Sequence, residues 1–330
     1  MWPYVLFILG LILLIKGGDW FVDGATGIAH KLHIPELIIG ATVVSIGTTL
    51  PEVMVSATSA MSGHGEMSYG NAIGSIICNT ALIAAITIAV KPSKVDPKSF
   101  RLPVFFFFGT AIFYTIISYT LGYFSRIVGI LLLGIFVIYM IVLIMQAKKS
   151  IKEEQQKQNE LVESKSNQQA QSKKQTIKDI FFLIIGAALI AVGANLLVDN
   201  GTKIATSLGV PESVIALTFV ALGTSLPELV TAITSLVKGH GALSLGNIIG
   251  ANLFNLVLVS GMSITLMPFS IPQEKMLAGI NASLLVDIPV MLCVMAIMTL
   301  PALFRGKLSR IQGIVLLIIY AAFCVFQFVS

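Results

Sequence analysis

Two glutamates, Glu52 and Glu228, stand inside long apolar stretches in matching contexts: Ile46 to Glu52 reads IGTTLPE, and Leu222 to Glu228 reads LGTSLPE. An ionised side chain at bilayer depth costs about 3 kcal/mol even on insertion scales, so each carboxylate calls for a proton or a cation. The neighbours favour a cation. Ser45, Thr48, Thr49 and Glu52 occur at i, i+3, i+4 and i+7 and share one helical face, which lines up oxygen donors. The second set is Ala221, Thr224, Ser225 and Glu228, in which Ala221 offers only its backbone carbonyl. Pro51 and Pro227 each remove a backbone donor and crowd the carbonyl four residues earlier, at Gly47 or Gly223, which frees that oxygen for other use. Downstream, Ser75 and Asn79 lie at i and i+4, and their counterparts are Ala251 and Asn255. The inventory holds carboxylate, hydroxyl, amide and carbonyl oxygens without sulfur or imidazole. That donor set selects hard cations such as Ca2+ or Na+ over zinc or copper. Two ionised glutamates carry a charge of −2, which one Ca2+ balances and several Na+ or two H+ can replace. Competition for one site is then the simplest exchange mechanism.

The elements that position these residues must lie in a membrane. Of 330 residues, 56% are hydrophobic and only 11% charged, which excludes an ordinary soluble domain of this length. Apolar stretches of about 20 residues, enough to cross a hydrocarbon core of about 30 Å, recur along the chain. Ten are expected, near 4–28, 34–62, 69–91, 102–119, 125–146, 178–202, 210–237, 244–267, 279–299 and 309–329. Runs such as Ile127 to Met145 are continuously apolar, without the period of two that a membrane barrel needs, so the spans are helices. The first span begins at Trp2 without a basic leader or a small-residue cleavage site and is expected to be retained. Cys78, Cys293 and Cys324 all fall within spans and are expected to be packing residues.

Residues 148–177 are rich in Gln, Lys, Glu, Ser and Asn and lack apolar periodicity, which predicts a solvated cytoplasmic linker between halves at 1–147 and 178–330. Across it, residues 34–79 align without a gap with 210–255, with 21 of 46 positions identical. The blocks include GHG at Gly63 and Gly239, and GNAIGSIICN (Gly70 to Asn79) against GNIIGANLFN (Gly246 to Asn255). Such similarity means duplication. The repeat unit is five helices long, and because five is odd the second copy crosses the membrane in the opposite sense. The fold class is thus an all-α membrane protein of ten helices in two inverted repeats, with broken helices 2, 3, 7 and 8 forming the core. Glycines at four-residue spacing (Gly70, Gly74, Gly246, Gly250) permit close approach there.

The formal charge of +5 follows topology and does not gather into a nucleic-acid-binding patch. Lys31, Lys91, Lys94, Lys98, Arg101, the lysines from Lys148 to Lys178, Lys238, Arg305, Lys307 and Arg310 fall on one side of a ten-span plan. The positive-inside rule places that side and the linker in the cytoplasm and both termini outside. No feature points to a protein partner or a cofactor; the expected partners are the transported ions and the bilayer.

At the paired GT[ST]LPE and GN…G…N blocks the chain resembles the cation/calcium exchanger superfamily, in its sodium/calcium exchanger branch with two alpha repeats. The resemblance implies calcium/sodium antiport by alternating access, with spans 1 and 6 sliding against a core of spans 2, 3, 7 and 8. It makes Glu52 and Glu228 calcium ligands, with Thr48, Thr49, Thr224 and Ser225 as side-chain or carbonyl ligands. Ser45 and Ala221 become carbonyl donors to sodium, and Ser75 and Asn79 further polar partners. The chain departs from the pattern at Ala251, where a site serine is often found, and at Asn255, where relatives that depend on potassium carry aspartate. A sodium-for-calcium exchanger without a potassium requirement is therefore expected. The alternatives are a proton/calcium exchanger on the same plan, whose motif there is typically GNxxE, and a passive cation channel. A nucleophile-plus-base pair is lacking, which argues against an enzyme.

Other polar residues have plainer expected roles. Glu36 and Glu212, each after a proline, are helix N-terminal acids. His64 and His240 are loop residues, and Asp19, Asp23, Asp199 and Asp287 are left open between entry paths and headgroups.

Overall fold

The computed structural model describes residues 2–92, 94–159, 169–208, 223–273, 276–277 and 279–329. Its helices follow the apolar stretches: α1 Trp2–Lys31, α2 Glu36–Met61, α3 Gly65–Val90, α4 Pro97–Thr120, α5 Arg126–Asn159, α6 Gln169–Ser207, α7 Leu226–Val237, α8 Gly241–Leu266, α9 Ser283–Arg305 and α10 Arg310–Val329. Nine of these are long and apolar enough to cross a bilayer, and α7 is a shorter apolar helix of 12 residues among the described part of the expected seventh span. The chain is a multi-pass, all-α membrane protein in which α6 to α10 repeat the order of α1 to α5. Among the described residues, four two-residue strands occur: β1 Tyr123–Phe124 pairs antiparallel with β2 Phe269–Ser270, and β3 Met276–Leu277 with β4 Ile280–Asn281.

The expected linker, 148–177, carries helix at its described ends: α5 runs on to Asn159 and α6 starts at Gln169. The physical reason is propensity, since Gln, Lys and Glu are good helix formers that extend a helix already nucleated in the membrane.

The breaks expected in the core helices take the form of π-helical turns. Among the described residues, Gly40–Val44 in α2, Asn79–Ala84 in α3 and Asn255–Val259 in α8 are π-helical, and another such turn opens α9 at Ser283–Asp287. Asn79 and Asn255 are partners in the aligned repeats, so duplication reproduced the irregularity together with the residue. A π turn displaces the backbone ladder by one residue and is frequent at functional sites. Ser45 and Ser260 stabilise two of them, each donating to the carbonyl five residues back: Gly40 O at 2.7 Å and Asn255 O at 2.9 Å.

The chain forms two compact units, Met1–Gly47 with Met140–Asn247, and Thr48–Tyr139 with Ile248–Ser330. In the first, α1 lies along α6 with backbones almost in contact. A Cβ at Gly10 would sit 2.9 Å from Gly193 O, at Gly17 2.8 Å from Ile190 N, and at Gly193 2.8 Å from Gly10 O, each closer than real Cβ contacts allow. Glycines seven residues apart on α1 thus let the two helices pack where any larger residue would separate them. Leu14, Phe21, Val22, Ala25 and Ile190 fill the seam. In the same unit the start of α2 crosses α8, with Gly40 against Leu243 O and Gly246 against Leu37 O.

In the second unit, aromatic side chains fill the interior. Tyr114 packs on Phe124 (4.7 Å between centroids), Phe124 on Phe269 (5.8 Å) and Phe136 on Phe254 (5.2 Å). Gly313 of α10 lets that helix meet α3 at Ala85 O. Phe105, Ile112 and Ile116 of α4 and Ile127, Ile130 and Leu131 of α5 are exposed, the pattern of helices that face lipid. By contrast 72% of the apolar window of α3 and 89% of that of α8 is buried, which marks these as interior helices.

Candidate ion-binding site

The second unit carries the first glutamate. Thr48, Thr49 and Glu52 lie in helical backbone of α2, and all three side chains are completely or almost completely buried. Pro51 stands inside the helix, so the carbonyl of Gly47 loses its usual i+4 donor. On α3, Ser75 and Asn79 are buried; on α8, so is Asn255. Asn71 ties α3 to α2: its Nδ2 donates to Ser56 Oγ at 2.8 Å and to the Glu52 carbonyl at 3.4 Å. Neither Asn71 nor Ser56 is among the residues read from sequence. Asn71 had a usable signal, because it matches Asn247 in the aligned repeats; Ser56 lies one helical turn beyond Glu52, but its repeat counterpart is Ala232.

A further buried polar cluster involves α3. Asn252 Nδ2 donates to Thr80 Oγ1 (2.7 Å) and approaches Met295 Sδ (3.2 Å), joining α8, α3 and α9. This cluster was not legible beforehand, since Asn252 faces Ile76 in the repeat alignment and Met295 carries no motif.

The first unit carries the second glutamate in a different local setting. Thr224 and Ser225 form a turn, Ser225 is the N-cap of α7, and Glu228 falls in its first helical turn. Pro227 is therefore at the helix start, where its missing N–H removes no hydrogen bond. The turn at Thr224–Ser225 ahead of Leu226 is a break at the motif, as expected for the seventh span, whereas Pro51 stands inside continuous helix. The positive end of the helix dipole supports an ionised Glu228, by about 0.3–1 kcal/mol in exposed settings and more where buried. Glu228 and Ser225 are fully buried, and Thr224 is half-buried. Thr231 and Ser235 continue the buried polar face of α7 one and two turns on; a search for hydroxyls at i+3 and i+7 from Glu228 would have found them. Ser45 Oγ also reaches Asn247 O at 3.0 Å, linking α2 to α8 within this unit. Ala221 lies outside the described residues, as does Glu212.

Buried hydroxyl and amide groups fall into two sets: some bond their own helix, and others, in the motifs and also at Ser68, Ser244 and Ser263, make no hydrogen bond among the described residues. Thr26, Thr42, Thr115, Ser118, Thr265 and Thr299 each donate to the carbonyl four residues back at 2.6–2.8 Å, the usual way a membrane helix satisfies a hydroxyl. Among the described residues, Thr49 Oγ1, Ser225 Oγ, Thr231 Oγ1 and Ser235 Oγ make no hydrogen bond although fully buried. The same holds for both amide atoms of Asn79 and for Asn255 Oδ1, while Asn255 Nδ2 is tied to Ala251 O at 3.1 Å. Leaving such a group unsatisfied costs about 1–3 kcal/mol. Within each unit, buried hydroxyl or amide oxygens and a buried carboxylate are the atom types that a hard cation takes as ligands.

Several outlying expectations are settled at the ends of the first unit's helices. Lys238 pairs with Asp23 at 2.8 Å and with Asp19 at 3.4 Å, so these aspartates bind a side chain of the protein. Glu36 stands in the first turn of α2, as expected, and meets His240 Nδ1 at 2.9 Å. The three cysteines form no disulfide.

Comparison with known proteins agrees with this architecture. The family model described as sodium/calcium exchanger protein matches residues 2–145 and 178–329. The sodium/calcium exchanger MaX1 of Methanosarcina acetivorans is 30% identical over 358 aligned positions, covering 98% of both chains. A putative antiporter, CaxA, of Alkalimonas amylolytica is 34% identical over 97% of this chain and 96% of its own. Among solved structures, that of the sodium-calcium exchanger NCX_Mj soaked with 10 mM Na+ and no Ca2+ superposes with a TM-score of 0.78 at 31% identity, over 97% of each chain. The chain belongs to the sodium/calcium exchanger protein family.

Proposed function

We propose that the chain is a secondary antiporter that exchanges Ca2+ for Na+ across the membrane, with one glutamate from each repeat as the principal ligands. The observation that carries this reading is that Glu52 and Glu228 are fully buried in the two aligned motifs, and that Thr49 Oγ1, Ser225 Oγ, Asn79 Oδ1 and Asn255 Oδ1 of the same motif blocks make no hydrogen bond among the described residues. The charge of −2 on two carboxylates matches one Ca2+, and Na+ ions entering the same oxygen set discharge it. Thr48, Thr224, Ser75 and the carbonyls of Ser45 and Ala221 complete the proposed ligand set. Membership of the family and likeness to exchangers named for these two ions support the choice of ions.

Three finer features belong to the same proposal. Asn255 in place of an acid keeps the site less negative, which supports exchange without potassium. The clustering of basic residues supports a cytoplasmic central segment with both termini outside, and hence calcium extrusion driven by inward sodium flow. The repeats at 1–147 and 178–330 are the two halves that exchange conformations.

The test is calcium uptake into proteoliposomes under an outward sodium gradient, repeated with a proton gradient alone and with no gradient. Uptake that needs sodium supports exchange. Uptake driven only by protons would reassign the coupling ion, and uptake that needs no counter-ion gradient would indicate a channel.

A further inference from the structure

A second cluster of metal-ligating groups lies at the ends of helices in the first unit and uses different chemistry. His30 ends α1, Glu36 opens α2 and His240 precedes α8, and one ligand atom from each lies within 4.8 Å of the other two. His240 Nδ1 is 2.9 Å and His30 Nε2 3.6 Å from the same carboxylate oxygen, Glu36 Oε1. For bonds of about 2.0–2.1 Å, those separations subtend about 90° and about 125° at a metal, bracketing the tetrahedral angle.

We infer that His30, Glu36 and His240 form a binding site for a divalent transition-metal ion, of which Zn2+ is the best-fitting class, at the membrane surface. Two imidazoles and one carboxylate leave a fourth position for water, and the nitrogen ligands discriminate against Ca2+ and Na+. The site is half-sheltered: the side chains of Glu36 and His240 are 22% and 25% exposed. That of His30 is 72% exposed and has room to swing the short distance that closes the third edge.

The charges near the cluster are mixed: Lys31 follows His30 at the end of α1, and Asp19 and Asp23 lie beside Lys238. Lys238, the nearest base in sequence to His240, is engaged by Asp19 and Asp23, so its charge is balanced at those carboxylates. Duplication does not explain the arrangement. At the repeat offset the counterparts of His30, Glu36 and His240 are Thr206, Glu212 and His64, so the full three-ligand set exists in one copy alone. A bound ion would clamp the end of α1 to the start of α2 and to the α7–α8 turn.

The probe is Zn2+, titrated calorimetrically into the purified full chain with Ca2+ in large excess, so that the oxygen-lined site is already saturated. One equivalent should bind, with Ca2+ failing to displace it. Loss of an outer-shell partner already costs about 10–100-fold in metal affinity, so His30→Ala and His240→Ala should each weaken binding at least about tenfold. Zn2+ should also raise the melting temperature of the wild type and not of these variants. Metal-free melting temperatures show whether each variant is folded, and exposed His30 keeps the test valid if His240→Ala is not. Absence of saturable Zn2+ binding in excess Ca2+, or binding that His30→Ala leaves unchanged, would overturn the assignment.

Discussion

Replacing Glu52 by Gln removes one negative charge and keeps the shape of the side chain. Glu52 is fully buried, so solvent cannot substitute for the missing charge. Taking away one partner of a buried ion pair costs about 3–5 kcal/mol, which corresponds to roughly a 150- to 4,000-fold loss in calcium affinity. The effect on the metal-free fold has the opposite sign. A neutral amide at bilayer depth is cheaper than a carboxylate, so the melting temperature in chelator should be unchanged or higher than that of the wild type. The assay pairs radiolabelled calcium uptake into proteoliposomes with thermal unfolding, with and without Ca2+. Glu52→Gln should lose uptake and lose the calcium-induced rise in melting temperature while remaining folded. Uptake at the wild-type rate would refute the reasoning, as would a loss of uptake that merely accompanies unfolding in chelator.

Thr49→Val should leave the melting temperature within about 1 °C, because Thr49 Oγ1 makes no hydrogen bond within the described residues, yet raise the half-saturating ion concentration about 3- to 10-fold, the worth of one hydroxyl of about 1 kcal/mol. The same pair of measurements on Thr299→Val, whose hydroxyl bonds Met295 O at 2.6 Å, should leave ion affinity unchanged. Gly193→Val places a branched side chain against the backbone of α1, where a Cβ alone would lie 2.8 Å from Gly10 O, and should destabilise by at least about 1–3 kcal/mol in a detergent melt. Asp96 caps α4 through Lys98 N and Ser99 N, both at 3.2 Å, and through Ser99 Oγ at 2.7 Å. Burial opposes ionisation of Asp96, but these hydrogen bonds outweigh it and hold the carboxyl below its ordinary value of 3.8. Its contribution is therefore fully present above that value and is lost as pH falls through the lower, folded-state value. Asp96→Ala should cost about 0.5–2 kcal/mol at neutral pH, and the gap in melting temperature between wild type and variant should close in strong acid.

The membrane class and the helix order were legible because hydrophobic length is a one-dimensional signal, and α1 to α4 end within a few residues of the expected limits. The repeat was legible because duplication preserved Glu52 with Glu228 and Asn79 with Asn255 at one constant spacing. What duplication hid is the divergence of its copies. Identical LPE tripeptides sit mid-helix in α2 and at the start of α7, since a proline in the first helical turn costs nothing while one in mid-helix removes a hydrogen bond, and local sequence does not choose between them. The π turns were also invisible, because a one-residue shift of the ladder leaves the apolar pattern almost unchanged. Contacts between distant segments, such as Asn252 with Thr80 and Glu36 with His240, depend on packing and carry no motif. The length of α5 beyond the apolar run was not legible for a different reason: hydrophobic length marks the membrane span alone, whereas Gln, Lys and Glu are good helix formers that carry the helix on to Asn159.

Exchange by competition means that calcium and sodium claim the same buried oxygens. The most direct measurement is equilibrium binding of radiolabelled calcium to the purified protein while sodium, potassium or a bulky organic cation is titrated at constant ionic strength. Sodium should expel bound calcium with a Hill coefficient above 1, and the other two cations should leave it in place. Calcium that stays bound in saturating sodium, or that potassium displaces equally well, would contradict the account.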